Sequence, residues 1–245
     1  MIFRQIVFYA LFVGVLSGTL LTAVQTWQVV PIIKGAEAYE SASADVQTDG
    51  HTHSHASEDE EWAPEEGAER VVFTFLSNTL TAIGFSLLMI GAIAAASKYK
   101  DGNKEKYNWK HGLLWGASGY LVFWLIPALG LPPEIPLAEA APLQERQLWW
   151  LLAVVCAAFA FLGLAFGKSP WRWIAPLVIF LPYLVGAPHP DSAMFAGQTA
   201  EAASALEILA KQFIGATAVA NAIFWIALGS LSVWAMQRIS FAKER

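Results

Sequence analysis

Six apolar stretches dominate this chain and decide what it can fold into. They run over Ile6–Val30, Val71–Ala96, Leu113–Leu129, Leu148–Phe166, Trp173–Val185 and Phe213–Met236. A helix needs about 20 apolar residues to cross the ~30 Å hydrocarbon layer of a bilayer. In lipid every backbone N–H and C=O must be paired within the protein, so such stretches become helices. The predicted fold is therefore all-α, a single polytopic membrane domain over residues 1–245 with about six transmembrane helices. The fifth stretch is short and carries Pro176 and Pro182, so a tilted, broken or re-entrant segment is expected there. The uncharged run from Ile6 to Val24 exceeds the roughly 7–15 apolar residues of a signal peptide and is read as a retained first span.

Composition agrees. Hydrophobic residues make up 56% of the chain and charged ones 14%, against about 25% charged in soluble domains. A net charge of −5 argues against nucleic acid as a partner. The single cysteine, Cys156, excludes an intrachain disulfide. There is no phosphate-binding G-x-x-x-x-G-K-[ST] loop, no H-E-x-x-H and no nucleophile elbow. An enzymatic role has no motif behind it, and no organic cofactor is expected.

The loop charges orient the chain. With the N-terminus inside, the inner segments hold Arg4, Lys98, Lys100, Lys104, Lys106, Lys110, Lys168, Arg172, Arg238, Lys243 and Arg245, 11 of the 15 basic residues. The outer segments hold Lys34, Arg70, Arg146 and Lys211. This is the positive-inside pattern, and it requires the fifth stretch to cross. Both termini are then cytoplasmic. Acidic residues do the reverse: 17 of 20 face outward, making the outer side a field that attracts cations.

Residues 34–70 form the one long polar loop, flexible, acidic and His-bearing. It contains His51, His53 and His55, followed by Glu58 to Glu61. Alternating side chains of an extended segment point to one side, so the three imidazoles can chelate a divalent metal with carboxylates completing the shell. The alternative is a solvated polar linker. His189 lies between Pro188 and Pro190 at the outer end of the fifth stretch, held in a stiff loop. It is either a receiving ligand or part of a surface turn. Glu134 is the matching position after the third stretch, and Glu37 and Glu40 share a helix face just beyond the first. Each is a candidate metal ligand or a solvated helix end. Polar groups within the spans are sparse. Gln25, Gln28, Asn78 and Asn221 mark a candidate translocation path or interhelical hydrogen bonds.

Four smaller patterns remain. Trp124, Trp149, Trp150, Trp171 and Trp173 suggest an aromatic belt. His111 suggests an interfacial anchor. Gly14-xxx-Gly18, Gly112-xxx-Gly116 and Gly163-xxx-Gly167 permit close helix contact. The segments Phe123–Glu134 and Ile179–Pro190 echo one another, each with Pro, Gly and Pro in turn. This suggests three related helix hairpins, a plan common among transporters, the alternative being that Pro and Gly end any helix.

These residues resemble the cobalt transporter subunit family called CbtA over nearly the whole length. The resemblance is carried by Gln28-Val29-Val30-Pro31, Glu37-x-Tyr39-Glu40 and the His tract, then by Trp62-Ala63-Pro64 and Leu114-Trp115-Gly116. Its most specific pieces are Pro127-Ala128-Leu129-Gly130-Leu131-Pro132-Pro133-Glu134 and Gly186-Ala187-Pro188-His189-Pro190, with Arg146-Gln147-Leu148-Trp149-Trp150 between them. The resemblance implies a cobalt-uptake subunit of the bacterial cytoplasmic membrane, serving cobalamin synthesis beside a small one-span, His-bearing partner, CbtB. The residues themselves specify only a divalent metal compatible with imidazole and carboxylate. The expected function is capture and uptake of that cation as substrate. A membrane sensor or chaperone that passes metal to another subunit is the alternative. A homo-oligomer is compatible with the sequence.

Overall fold

The computed structural model describes residues 2–48, 67–99 and 108–243. Their regular structure is all helical, with no strand among the described residues. Four helices are long and apolar enough to cross a bilayer, over Phe3–Gln28, Ala68–Ser97, Leu143–Phe166 and Ala200–Ile239. They belong to α1 (Ile2–Gln28), α3 (Ala68–Tyr99), α6 (Leu143–Phe166) and α9 (Ala200–Lys243). Between α1 and α3, α2 (Val30–Thr48) continues from α1 after a break at Val29. Pro31 cannot donate to the helix ladder, which accounts for that break.

The third apolar stretch is helical throughout but irregular. It comprises α4 (Trp109–Tyr120), a wide π turn at Leu121–Leu125 and α5 (Ile126–Ala128). Asn108 and His111 form a reciprocal capping box at its start, so His111 caps the helix as well as lying near its end. The π turn immediately precedes Pro127, whose missing N–H would interrupt an α ladder. The fifth stretch is broken as its prolines demand: α7 (Trp171–Ile174), a 3-10 segment at Ala175–Phe180 and α8 (Leu181–Val185).

Helices pack in three antiparallel pairs, each closed by glycines. A Cβ built on Gly14 would lie 2.6 Å from Ile83 Cα, and one on Gly18 would lie 2.6 Å from Thr79 Cα, so α1 and α3 meet backbone to backbone. At the α4–α9 crossing, a Cβ on Gly229 would lie 2.4 Å from the Gly116 nitrogen. In the third pair a Cβ on Gly163 would fall 2.2 Å from the Ala175 Cβ. The glycine motifs thus make the contacts their spacing suggests. The hairpins behave differently: only the first closes on itself, while the third stretch pairs with the sixth and the fourth with the fifth.

The main core lies between α1, α3 and α9. It is built on Ala10, Val13, Leu21, Ile90, Ile93, Phe224, Trp225 and Leu228. A second core joins Val122 and Ile126 to Val154 and Ala157 of α6. A third sits at one end of the bundle, where Ala36, Ile135, Phe195 and Leu206 pack together. The expected sixth span, Phe213–Met236, proves to be the middle of a 44-residue helix. At 1.5 Å per residue α9 is about 66 Å long, roughly twice the hydrocarbon thickness. Its first turns extend beyond the apolar zone and support this third core.

The bundle has two unlike ends. One, the acidic pole, carries α2, the connections at 129–142 and 186–199 and the start of α9. The other, the basic pole, carries Arg4, Lys110, Lys168, Arg172 and Arg238. There cations lie near indole rings: Lys110 Nζ is 6.0 Å from the Trp109 ring, and the Arg172 and Arg238 guanidinium carbons are 6.0 and 5.5 Å from the Trp173 and Trp234 rings. Trp109, Trp171 and Trp173 are largely exposed, as belt residues are.

Candidate functional site

The proline breaks of the third and fifth stretches are what bring the acidic pole together. Beyond Pro127, Gly130 and Leu131 both donate to the Pro127 carbonyl, leaving the Ile126 carbonyl without its helical donor. The Tyr183 hydroxyl donates to that carbonyl. Trp149 Nε1 donates to the Pro182 carbonyl at 3.0 Å, and the Trp149 and Tyr183 rings meet edge to face at 5.8 Å. Trp149 is 5% exposed, and its ring closes on Gly130, where a Cβ would sit 2.2 Å from Cη2. The belt reading of Trp149 is therefore wrong: Trp150 faces outward, and Trp149 is a buried rivet joining three segments.

From this frame two carboxylates are held by arginines. Arg146, in the first turn of α6, reaches Glu134 at 2.8 Å. Arg70, in the first turn of α3, grips Glu37 of α2 with both terminal nitrogens, at 3.1 and 2.7 Å. The geometry is the bidentate fork typical of arginine and carboxylate. In each case the basic residue opening a helix pairs with a Glu of the preceding connection. Sequence reading singled out these four residues but not their pairing. The recurring order of a Glu in one connection and an Arg at the next helix start was the available signal.

The Arg70 hydrogen bonds, with the charges of Arg70 and Lys34, hold the Glu37 carboxyl below its ordinary value of 4.5, and partial burial opposes them only in part. A carboxyl depressed on folding stabilises the fold above its unfolded value and loses that contribution as pH falls through the lowered one. The α2–α3 link should therefore be constant above about pH 5 and weaken below about 4.5. Thermal unfolding followed from pH 3 to 7 should show an acid-side decline that Glu37→Gln reduces.

The remaining candidates are placed as follows. His189 is exposed in the 186–190 connection after α8, which leaves Gly186 with φ +88°. Glu40 is exposed on α2, one turn from Glu37. Among the described residues no three His, Cys, Asp or Glu side chains converge, so Glu37, Glu40, Glu134 and His189 do not form a ready-made metal cage. His51, His53 and His55 lie outside the described residues. Within the bundle, the Asn78 amide donates to Gln25 Oε1 at 2.7 Å and to Thr22 Oγ1 at 3.1 Å, linking α1 and α3. Asn221 donates to the Thr217 carbonyl of its own helix at 2.9 Å. Gln28 Oε1 is enclosed without a hydrogen-bond partner among the described residues.

The family described as "Probable cobalt transporter subunit (CbtA)" matches residues 3–237. No curated protein and no solved structure matches the chain.

Proposed function

The chain belongs to the probable cobalt transporter subunit family, and from that premise we propose that it is the membrane subunit that captures a divalent cation, cobalt, outside the cell and admits it. The observation that carries this reading is polarity. Glu134, Arg146, Trp149 and the connection bearing His189 gather at one pole with the Glu37–Arg70 pair, while the opposite pole is basic. Under the positive-inside rule the basic pole is cytoplasmic and the acidic pole extracytoplasmic. In this reading six segments cross the cytoplasmic membrane, the irregular third and fifth among them. The loop carrying His51, His53 and His55 concentrates the cation and passes it to His189, Glu134, Glu37 and Glu40.

Metal binding at Glu37 or Glu134 has to compete with an arginine, which keeps affinity low enough for release. Inward movement of a dication down a membrane potential of about 100 mV yields about 4–5 kcal/mol, so no nucleotide is needed. A family named for a subunit implies a partner, and a small one-span, His-bearing chain is the proposed one. The lack of any charged side chain at mid-span favours a second reading, in which this chain delivers metal to another subunit rather than conducting it.

Radiolabelled Co²⁺ accumulation in cells and in liposomes tests both. The chain, with its partner, should raise uptake, and replacing His51, His53, His55 and His189 together by Ala should lower it at least tenfold. Unchanged uptake would refute the histidine assignment. Uptake by the purified chain alone in liposomes would exclude the delivery role.

A further inference from the structure

Hydroxyl groups in this bundle differ in how they are satisfied. Thr19, Thr22, Thr74, Ser118 and Thr217 donate to the carbonyl four residues back in their own helix, at 2.7–2.9 Å. That local bond is open to any Ser or Thr in a helix interior. Ser17, Thr79 and Ser232 do not make it. Their oxygens are enclosed without a partner among the described residues, and the residues are 0%, 8% and 0% exposed. An unpaired hydroxyl in an apolar medium costs several kcal/mol, so three of them facing one interior call for an explanation.

One lies on each of α1, α3 and α9, the three helices of the main core. Ser17 continues the buried α1 stripe of Ala10, Val13 and Leu21. Thr79 Oγ1 lies 3.0 Å from where a Cβ on Gly18 would sit, beside Ser17. Ser232 follows Leu228 on the buried face of α9, two residues from Trp234, whose ring meets Tyr9 and Phe12 at 5.9 and 6.0 Å. Ser232 is thus about one turn below Ser17. Polar atoms continue on both sides. Toward the acidic pole are the Thr22, Gln25 and Asn78 group and then Gln28. Toward the basic pole, Ser86 Oγ donates to the Ala10 carbonyl at 2.6 Å. Measured along α1 from Gln28 to Ala10, this file is about 27 Å long, close to the hydrocarbon thickness.

We propose that this seam is the translocation path and that Ser17, Thr79 and Ser232 line its mid-membrane section. The proposal rests on the reading that the chain moves a cation, and it adds the route. The lining is neutral oxygen without imidazole, suited to a cation that keeps part of its water shell. Choice of metal must then be made at the acidic pole. The described conformation is closed, because Ser17 and Ser232 have no exposure. The glycine contacts define what moves: α1 with α3 forms one rigid pair, which holds Ser17, Thr79 and the Asn78 and Ser86 hydrogen bonds at its own contact, and α4 with α9 forms another, which carries Ser232. Opening parts the pairs without breaking either backbone contact.

The test uses Cys156→Ser as the background, since Cys156 is the only native thiol. Ser17→Cys and Ser232→Cys are introduced singly, with Leu16→Cys, neighbouring in sequence but 42% exposed on the bundle surface, as control. The full chain in energised vesicles, with its partner, is treated with a charged methanethiosulfonate. The two path cysteines should react and be protected at least threefold by millimolar Co²⁺, while Leu16→Cys stays unlabelled. Ser17→Ala and Ser232→Ala should each lower Co²⁺ uptake about tenfold without loss of thermal stability. Unreactive path cysteines in a chain that accumulates Co²⁺ would overturn the route and leave the uptake reading standing. Reactive path cysteines, together with a wild-type chain that accumulates no Co²⁺, would overturn the cobalt reading and uphold the water-filled seam.

Discussion

Gly229→Leu should yield no folded protein, and Gly229→Ala should lower unfolding free energy by about 3 kcal/mol, the upper end of ordinary overpacking costs. The reason is that the obstacle is backbone. A Cβ on Gly229 would lie 2.4 Å from the Gly116 nitrogen and 2.5 Å from the Gly112 carbonyl oxygen, and one on Gly116 would lie 2.5 Å from the Trp225 carbonyl oxygen. No rotamer change relieves such contacts, so α4 and α9 must separate. Separation also unseats Trp225, which stacks on Phe123 at 5.2 Å and packs on Phe85 at 4.8 Å. Gly84, Gly91 and Gly215 face open space and serve as internal controls. Leu at any of these three should leave the unfolding midpoint close to wild type. Size-exclusion profiles in detergent and tryptophan fluorescence during denaturant titration measure both sets. A monodisperse Gly229→Leu chain with a wild-type midpoint would show that the crossing is not as close as described.

The same contacts show what the sequence could and could not convey. Apolar run length located the four long helices, and proline positions located the breaks in the third and fifth stretches, because both act locally on the backbone. Small-residue spacing located the crossing faces on α1, α4 and α6. It could not name the partners: nothing in Gly112-xxx-Gly116 says that Gly229 lies opposite, since Gly229 belongs to no such motif on its own helix. The extension of α9 to Ala200 was also hidden. Residues 200–212 include Glu201, Glu207 and Lys211, and hydropathy marks them as loop. They are helical because Leu206 and Leu209 pack on α2, burying one face while the charges remain outside. At the acidic pole, Glu37 and Glu134 stood out as carboxylates in special segments. Their arginine partners are brought to them only by the fold, so their use as ligands requires breaking an ion pair, a constraint invisible along the chain.

Trp149 is the residue on which the candidate site most depends, and Trp149→Ala should reduce Co²⁺ uptake more than tenfold in a chain that still inserts. Removing a buried indole costs about 3–5 kcal/mol in packing, and the Pro182 carbonyl, bonded to Nε1 at 3.0 Å, would lose one of its two donors. That carbonyl also accepts from the Gly186 N–H, so the damage passes to the turn that presents His189. On the other side the ring fills the space beside Gly130, four residues before Glu134. Both candidate ligands are therefore positioned through one side chain. The main core of α1, α3 and α9 does not include Trp149, so helix content by circular dichroism should be nearly unchanged. Trp149→Phe separates the two contributions: it retains most of the ring area and loses the N–H, at a cost of about 1–3 kcal/mol. Uptake should fall in the order wild type, Phe, Ala. If Trp149→Ala transports as well as wild type while the His189 and loop-histidine replacement does not, the acidic pole does not need this frame to work.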